Sequence, residues 1–331
     1  MNIGSFFFAN TSKIDIKNME VGIMFWIGFI AFVITMLILD LFVFHKKDSL
    51  IKVKEALLWS VFWIGLAVIF NIGVYHLLGK VKALEFLTGY LIEESLSVDN
   101  LFVFIMIFGY FKIDSQHQHK ILFWGIMGAI VMRAIFIFAG VTLIQKFAWV
   151  MYIFGAFLIY TGIKMLFEKE DSEFNPNDNV VITTFKRIFP VTDEMSKPVF
   201  FVRSNKILYA TPYFLVLLFI EVSDLIFAVD SIPAVLSVSK DPFIVYTSNI
   251  FAILGLRSLY FALSGIMDYF RYLKYALAGI LSFIGMKMCI NEFTHHSGYD
   301  FHISNFTSLA VIVSLLSISI VLSLVIKKNE A

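Results

Sequence analysis

The chain has 331 residues, of which 59% are hydrophobic and 15% charged, whereas soluble domains average roughly 45–50% apolar and about 25% charged residues. A mean hydropathy of +0.84 therefore excludes a soluble globule and indicates that much apolar surface faces lipid. The net charge of +1 gives no overall field for nucleic-acid binding. The single cysteine, Cys289, cannot form an intramolecular disulfide or a thiolate metal site.

Nine stretches are long and apolar enough to cross a bilayer, whose hydrocarbon core of about 30 Å needs about 20 helical residues. They predict an all-α membrane protein with spans near 21–44, 55–79, 83–109, 120–143, 147–167, 207–238, 243–266, 271–292 and 305–326. The longest connection is charged and contains Asn and Pro, which predicts a loop outside the membrane.

These spans divide the chain into five parts. We predict an N-terminal segment with two spans, a three-helix unit, a cytoplasmic loop, a second three-helix unit, and a C-terminal span with its tail, at 1–82, 83–167, 168–206, 207–292 and 293–331. Lys and Arg number 16 on one side of this topology and 6 on the other. The positive-inside rule then predicts that the N-terminus lies outside and the C-terminus lies in the cytoplasm. The membrane is expected to be the inner (cytoplasmic) membrane of the cell.

Six acidic residues lie within the predicted spans, where each ionisable group costs at least about 2.5–3.5 kcal/mol. They are Glu93, Glu94 and Asp99 in the third span and Glu221, Asp224 and Asp230 in the sixth. Only two arginines, Arg133 and Arg257, lie at comparable depth. A static neutral network is one interpretation, but four negative charges stay uncompensated, so some acids are protonated or a cation binds.

The polar groups at this depth are carboxylates, amides and hydroxyls, because all seven histidines fall at span ends or in loops. Oxygen ligands suit Mn²⁺, Mg²⁺ and Ca²⁺, whereas zinc and copper sites normally recruit His or Cys. The sequence therefore predicts a site for a hard divalent cation and no organic cofactor.

Helical spacing separates the acids of the sixth span. Glu221 and Asp224 share a face, while Asp230 lies about 120° from Asp224 around the helix. Pro233 removes a backbone donor, so we expect the helix to kink or unwind beside Asp230, as at transporter ion sites.

The two acid-bearing spans begin an internal repeat. Aligning Val98-Asp99-Asn100 with Val229-Asp230-Ser231 superposes Glu93 on Asp224, and further on Arg133 matches Arg257 and Lys164 matches Lys287. Each unit has three spans, an odd number, so the second is predicted to be inverted in the membrane, an architecture common in transporters. We expect the arginines to pair with the acids and the two lysines to snorkel to the interface.

At these residues the chain resembles the TerC/Alx family of bacterial membrane proteins, named for tellurium resistance and related to LysE-type exporters. The resemblance rests on ESLSVDN at 94–100, the E-x-S-D-x-x-F-A-x-D-S-I-P-A stretch at 221–234, the run 255–258 and Asp40-Leu41. It implies a protein of divalent-metal homeostasis, with manganese export and metal supply to exported enzymes as its role. It also implies metal ligation by Glu93, Asp99, Glu221, Asp224 and Asp230. We predict supporting roles for Asn100, Ser223, Ser231, Arg133, Arg257, Asp40 and Glu94.

We therefore predict a secondary transporter that exports Mn²⁺ or a related cation against protons, and no enzyme, since the polar centre lacks a nucleophile paired with a base. A tellurite role is hard to derive, because carboxylates repel oxyanions. Two alternatives stay open. One is an assembly or metallation partner for membrane and exported proteins, and the other is a LysE-like exporter of a small cationic solute.

Overall fold

The structure is a computed structural model that describes residues 16–44, 53–147, 149–167, 180–192, 199–204, 206–264, 272–297 and 301–326. For residues 16–21, 40–44, 99, 180–182 and 295–296 it describes the backbone alone. The chain divides into two units, residues 1–49 and 50–331. The first contains helix α1, Ile16–Phe44.

The second unit is mostly helical. Its helices are α2 (Val53–Leu78), α3 (Lys80–Tyr110), α4 (Ser115–Lys146), α5 (Val150–Phe167), α6 (Val180–Ile188), α7 (Pro212–Leu236), α8 (Pro242–Leu263), α9 (Leu273–Ser297) and α10 (Asn305–Val325). Local sequence explains several boundaries. Pro212 and Pro242 occupy the first turns of α7 and α8, where no backbone donor is needed. Asp241 caps α8 by accepting from the Phe243 N–H at 3.0 Å.

Within the described residues, seven helices are long and apolar enough to cross a membrane. They are α1, α2, α4, α5, α8, α9 and α10. The two remaining long helices, α3 and α7, have 31 and 25 residues and carry the predicted acids. Their length suffices for a crossing at about 1.5 Å per residue, but charge interrupts their apolar character.

Helix α8 lies at the centre of the bundle, since 83% of its apolar stretch is buried. It packs on α2, α3 and α4, while α7 packs on α3 and α4, and α5 packs on α9. A helix that is apolar all round and buried all round is a core helix. By contrast only 17% of the apolar stretch of α10 is buried, which leaves most of it for lipid.

Side-chain contacts give the relative directions of these helices. Gly125 faces Ile220 and Gly140 faces Leu236, so α4 and α7 run parallel. The ring of Phe108 contacts Tyr260, whereas Gly89, earlier on α3, faces Ser248, so α3 and α8 also run parallel.

Helices α5 and α9 run antiparallel, because Gly155 faces Gly285 while Gly162 faces Ala278. These glycines permit the close approach, since a Cβ on Gly155 would lie 2.9 Å from the Gly285 carbonyl oxygen.

The structure adds detail to one prediction around α7 and contradicts another. The stretch 168–206, predicted as a loop outside the membrane, contains the short helix α6 and the strand β1, Phe201–Ser204, and its place outside the membrane stays a prediction. The first residues assigned to the sixth span form the strand β2, Ile207–Ala210, which pairs antiparallel with β1 in the register Phe201 to Ala210. Apolar strand residues next to a helix resemble a longer helix in a hydropathy scan. The helix itself begins at Pro212, after Thr211.

Pro233 lies inside α7, which remains helical to Leu236. The helix therefore does not unwind beside Asp230, and a kink there, the other predicted outcome, stays a prediction. The proline sits in the last turn, so the helix loses a single backbone hydrogen bond close to its end.

Candidate functional site

Four helices bring polar side chains to one buried cluster. Glu93 of α3, Arg133 of α4, Asp224 of α7 and Asn249 of α8 are all nearly inaccessible to solvent. The Arg133 guanidinium donates to both Asp224 carboxylate oxygens, with Nη2 to Oδ1 at 2.9 Å and Nε to Oδ2 at 3.3 Å. Its Nη1 donates to Glu93 Oε1 and, at 2.8 Å, to Asn249 Oδ1. The Asn249 amide completes the cluster by donating to Glu93 Oε2 at 2.9 Å.

This arrangement places one guanidinium between two carboxylates. The bidentate contact with Asp224 uses the planar fork of arginine, which fixes both geometry and charge. Because the cluster is buried, its ionic contacts are stronger than in water and an unpaired member would be costly. With both acids ionised, the cluster keeps a formal charge of −1. The prediction that Arg133 pairs with the acids is confirmed.

Glu221 adds a third carboxylate, one turn before Asp224 on α7. Its carboxylate lies against Gly128 of α4, in the space that a Cβ on that glycine would occupy. Glycine at this position thus makes room for the acid. Glu221 is only half-buried, and both it and Asp224 face α4, as the predicted shared face requires.

Asp230 faces a different helix. Its Oδ1 accepts a hydrogen bond from the Thr161 hydroxyl of α5 at 3.2 Å. Lys164, one turn further along α5, is close enough to interact with its charge. The predicted angular separation of Asp230 from Asp224 is confirmed, and the structure places Asp230 outside the Arg133 cluster.

Other predicted site residues lie near these acids. Asn100 Oδ1, Ser231 Oγ and Glu94 Oε2 are buried and have no hydrogen-bond partner among the side chains and backbone that the structure describes. Asn100 and Ser231 occupy equivalent positions in the predicted repeat, each next to an aspartate. Orphaned buried oxygens of this kind are rare and call for an explanation.

Four predicted site residues are less informative. Ser223 is half-buried on α7. Arg257 is buried in α8, and its pairing with an acid stays a prediction. The side chains of Asp40 and Asp99 lie outside the described residues, so their roles also stay predictions.

Among the side chains that the structure describes, no three His, Cys, Asp or Glu residues lie close enough together to hold a metal ion. The reason is visible in the cluster: the Arg133 guanidinium fills the space between Glu93 and Asp224. The structure therefore brings two predicted ligands together, places Glu221 beside them and keeps Asp230 apart.

Sequence reasoning missed three groups at the site, namely Asn249, Gly128 and Thr161. Asn249 had a signal, since it is an amide within an apolar span. Gly128 and Thr161 had none, because a glycine or threonine in a membrane helix is ordinary.

The expectation that Lys287 snorkels to the interface is wrong. Its side chain is 2% exposed, and its ammonium donates to Asn305 Oδ1 at 2.8 Å. The first turn of α10 covers this lysine, which a span-by-span reading does not reveal.

Comparison with known proteins agrees with this architecture. A family model described as "Integral membrane protein TerC family" matches residues 78–331, which include both acid-bearing helices and the Arg133 cluster. The chain belongs to the TerC family. This TerC family protein is 49% identical over 300 residues to "Uncharacterized membrane protein STKORF319" of Myxococcus xanthus, covering 91% of this chain and 92% of that one.

Two further relatives carry another name. The chain is 46% identical to "Putative membrane-bound redox modulator Alx" of Salmonella typhi, and 45% identical to the protein of the same name from Escherichia coli strain K12. Each alignment covers 90% of this chain and 93% of the relative. No solved structure matches this TerC family protein.

Proposed function

We propose that this TerC family protein is a secondary transporter that exports a hard divalent cation, Mn²⁺ first among them, in exchange for protons. One observation carries the proposal: two buried carboxylates, Glu93 and Asp224, share a single arginine, and Glu221 lies beside them. Apolar surroundings penalise this excess of negative charge. A cation that arrives between the acid helices relieves the penalty, and protons do so when it leaves.

The helix directions support nine spans arranged as inverted repeats. In the proposed topology α3 and α8 run inward, α4 and α7 run outward, and α5 and α9 run in opposite directions. The contacts of the glycines and aromatic rings agree with each of these relations. If the two units exchanged conformations, the cation site between them would open to the opposite side of the membrane. Such an exchange is the usual basis of alternating access in transporters with inverted repeats.

Arg133 has a specific part in this mechanism. Its guanidinium pairs with both Glu93 and Asp224. Cargo entry requires at least one of these acids to leave Arg133, and Glu221 is positioned to act with Asp224 as a ligand pair from one helix face. Oxygen ligands alone do not separate Mn²⁺ from Mg²⁺ or Ca²⁺, so these are competing substrates.

We place the protein in the inner membrane with its N-terminus outside and its C-terminus in the cytoplasm, from the distribution of Lys and Arg. Its partners in this role are the divalent cation, protons and the lipid bilayer. The redox role in the name of its relatives would need a further group or protein, because a lone cysteine cannot cycle between dithiol and disulfide.

The test is Mn²⁺ flux into vesicles that contain the purified protein, with an imposed pH gradient. Asp224→Asn and Glu221→Gln are expected to lower Mn²⁺ flux at least about tenfold, which corresponds to about 1.4 kcal/mol. Asp99→Asn and Asp230→Asn are expected to do the same. Glu55→Gln, which removes an exposed acid at the start of α2, is the matched control and leaves flux unchanged. Unchanged flux in all four folded site variants would contradict the proposal.

The same vesicles test the alternative of a LysE-like exporter. Such an exporter needs an anchor for the substrate carboxylate, and Arg133 is already engaged by Glu93 and Asp224. Lysine flux without Mn²⁺ flux would favour the alternative. An assembly partner would be favoured by two results together: all site variants show wild-type Mn²⁺ flux, and cells that lack this protein lose an exported protein.

A further inference from the structure

The segment before α7 forms a small structure that the proposed transport cycle does not use. Helix α6 and the hairpin β1–β2 together are called the platform here. Phe185 of α6 and Phe201 of β1 both pack on Phe214 in the first turn of α7, with ring centroids 5.4 and 4.6 Å away. The Thr211 N–H donates to the Phe200 carbonyl at 3.0 Å. The platform is therefore fixed to the beginning of α7.

The level of the platform relative to a bilayer follows from the length of α7 and rests on the proposed topology. A helix of 25 residues is about 37 Å long at about 1.5 Å per residue, slightly more than the hydrocarbon core of about 30 Å. The first turn of α7 then lies at the interface. Only Thr211 separates β2 from α7, so the platform lies at headgroup level.

The surface of the platform combines exposed apolar and cationic side chains. The apolar ones are Ile188, Phe201, Ile207 and Leu208, which are 78, 42, 50 and 48% exposed. The exposed cationic ones include Arg187, Arg203 and Lys206. No Asp or Glu occurs in its described residues, 180–192, 199–204 and 206–210.

This combination fits one environment. Exposed apolar side chains beside arginines are costly against water, but they fit the boundary between acyl chains and headgroups. Anionic headgroups on the cytoplasmic leaflet attract such cations. A short amphipathic helix with Lys186 and Arg187 in its last turn is typical of an interfacial segment.

We propose that the platform binds the phosphate headgroups of anionic lipids in the cytoplasmic leaflet, with Ile188 and Leu208 inserted among the upper acyl chains. Arg187, Arg203 and Lys206 contact the headgroups. The bilayer surface thereby fixes the beginning of α7, the helix that carries Glu221 and Asp224.

The lone cysteine makes a direct test simple. A Cys289→Ser protein carrying Ile188→Cys or Leu208→Cys is spin-labelled and placed in vesicles of phosphatidylcholine, with or without about 30% phosphatidylglycerol. The proposal predicts greater collision with dissolved O₂ than with a water-soluble nickel complex, and a deeper label when phosphatidylglycerol is present. The same label at Lys240→Cys, an exposed residue at the other end of α7, reports the water-facing reference.

Charge variants separate lipid binding from mere burial. Arg187→Gln with Arg203→Gln and Lys206→Gln is expected to abolish the effect of phosphatidylglycerol on label depth, whereas the matched variant Lys240→Gln preserves it. A label at position 188 that is fully accessible to the nickel complex in both lipids would overturn the proposal. The label measurement is independent of Mn²⁺ flux. Intact flux with a water-exposed platform would show that the lipid proposal has failed, whereas a lipid-embedded platform without flux would show that the transport proposal has failed.

Discussion

The two predicted three-helix units, α3–α5 and α7–α9, meet at a contact between α5 and α9 that fits a two-fold rotation. Gly155 faces Gly285, and Gly162 faces Ala278. The alignment that pairs Gly162 with Gly285 also pairs Gly155 with Ala278. Exchanging the units therefore turns one contact into the other, as a two-fold axis between α5 and α9 would require.

The charged residues of the two units do not follow this symmetry. Arg133 of the first unit forms ion pairs with one acid from each unit, Glu93 and Asp224. Lys164 is exposed, whereas its counterpart Lys287 is buried under the first turn of α10. The glycine packing of α5 on α9 thus agrees with the predicted repeat, while the pairing of the charged side chains does not follow it.

The largest effect is expected for Arg133→Gln. It leaves two buried carboxylates without their cation, and breaking a buried ion pair costs about 3–5 kcal/mol. We expect little folded protein and a large fall in the thermal unfolding temperature in detergent. Adding Glu93→Gln and Asp224→Asn removes the stranded charges and is expected to restore folding but not Mn²⁺ flux. An unchanged unfolding temperature for the single variant would contradict this account of the cluster.

The contact between α5 and α9 predicts equal effects from two substitutions. A Cβ on Gly162 would lie 2.7 Å from the Ala278 carbonyl oxygen, and a Cβ on Gly285, its counterpart in the alignment, would lie 2.5 Å from the Gly155 carbonyl oxygen. Gly162→Ala and Gly285→Ala each force the helices apart, at about 1–3 kcal/mol.

Gly73→Ala of α2 is the control for these glycines, because no atom lies within 4 Å of its added Cβ. Alanine is the better helix former by roughly 0.5–1 kcal/mol, so this variant is expected to unfold at or above the wild-type temperature. Clearly unequal effects of Gly162→Ala and Gly285→Ala would argue against a two-fold contact.

The two lysines are expected to differ. Lys287→Met leaves the Asn305 amide oxygen without its donor and removes a charge near Glu85, which costs about 1–3 kcal/mol. Lys164→Met alters an exposed side chain and is expected to stay within about 0.5 kcal/mol of wild type. Urea or thermal unfolding gives the stability of both lysine variants. The same measurement on Asn305→Leu and on the double variant Lys287→Met with Asn305→Leu gives the coupling energy between Lys287 and Asn305. Equal losses of stability in Lys287→Met and Lys164→Met would contradict the expected difference between the two lysines.

Some of this site could be predicted from sequence because its signals are local. Acids in apolar spans, the spacing that separates Asp224 from Asp230, and the pairing of Arg133 with acids all follow from helix geometry and the cost of buried charge. The partners could not be predicted, since they depend on which helices pack together. Asn249 reaches Glu93 across 156 positions in the chain.

The errors of the sequence prediction have a common cause. Hydropathy detects apolar residues but not their conformation, so β2 appeared to be the start of a helix. It also treats each span alone, so the cover that Asn305 gives Lys287 went undetected. Both features depend on neighbours outside the scanned window.

The smallest effect is expected at the beginning of α3, where the two predicted units again use equivalent positions. Lys82 bridges Glu85 and the cap of α8, Asp241, at 3.0 and 3.1 Å, and the alignment pairs it with Tyr213, which bonds His117 of α4. Burial lowers the pKa of Lys82, but its hydrogen bonds to the two acids outweigh that effect and raise the pKa above 10.5.

Because this pKa is raised on folding, the stabilisation is complete below about pH 10.4, the ordinary lysine value, and is lost as pH rises through the raised pKa. A partly exposed pair contributes about 0.2–1 kcal/mol, so Lys82→Gln is expected to lower the unfolding temperature slightly, and less in high salt. Lys240→Gln, an exposed neighbour without these contacts among the described ion pairs, controls for charge. An unfolding temperature of Lys82→Gln that matches Lys240→Gln at low salt would show that the bridge adds no stability.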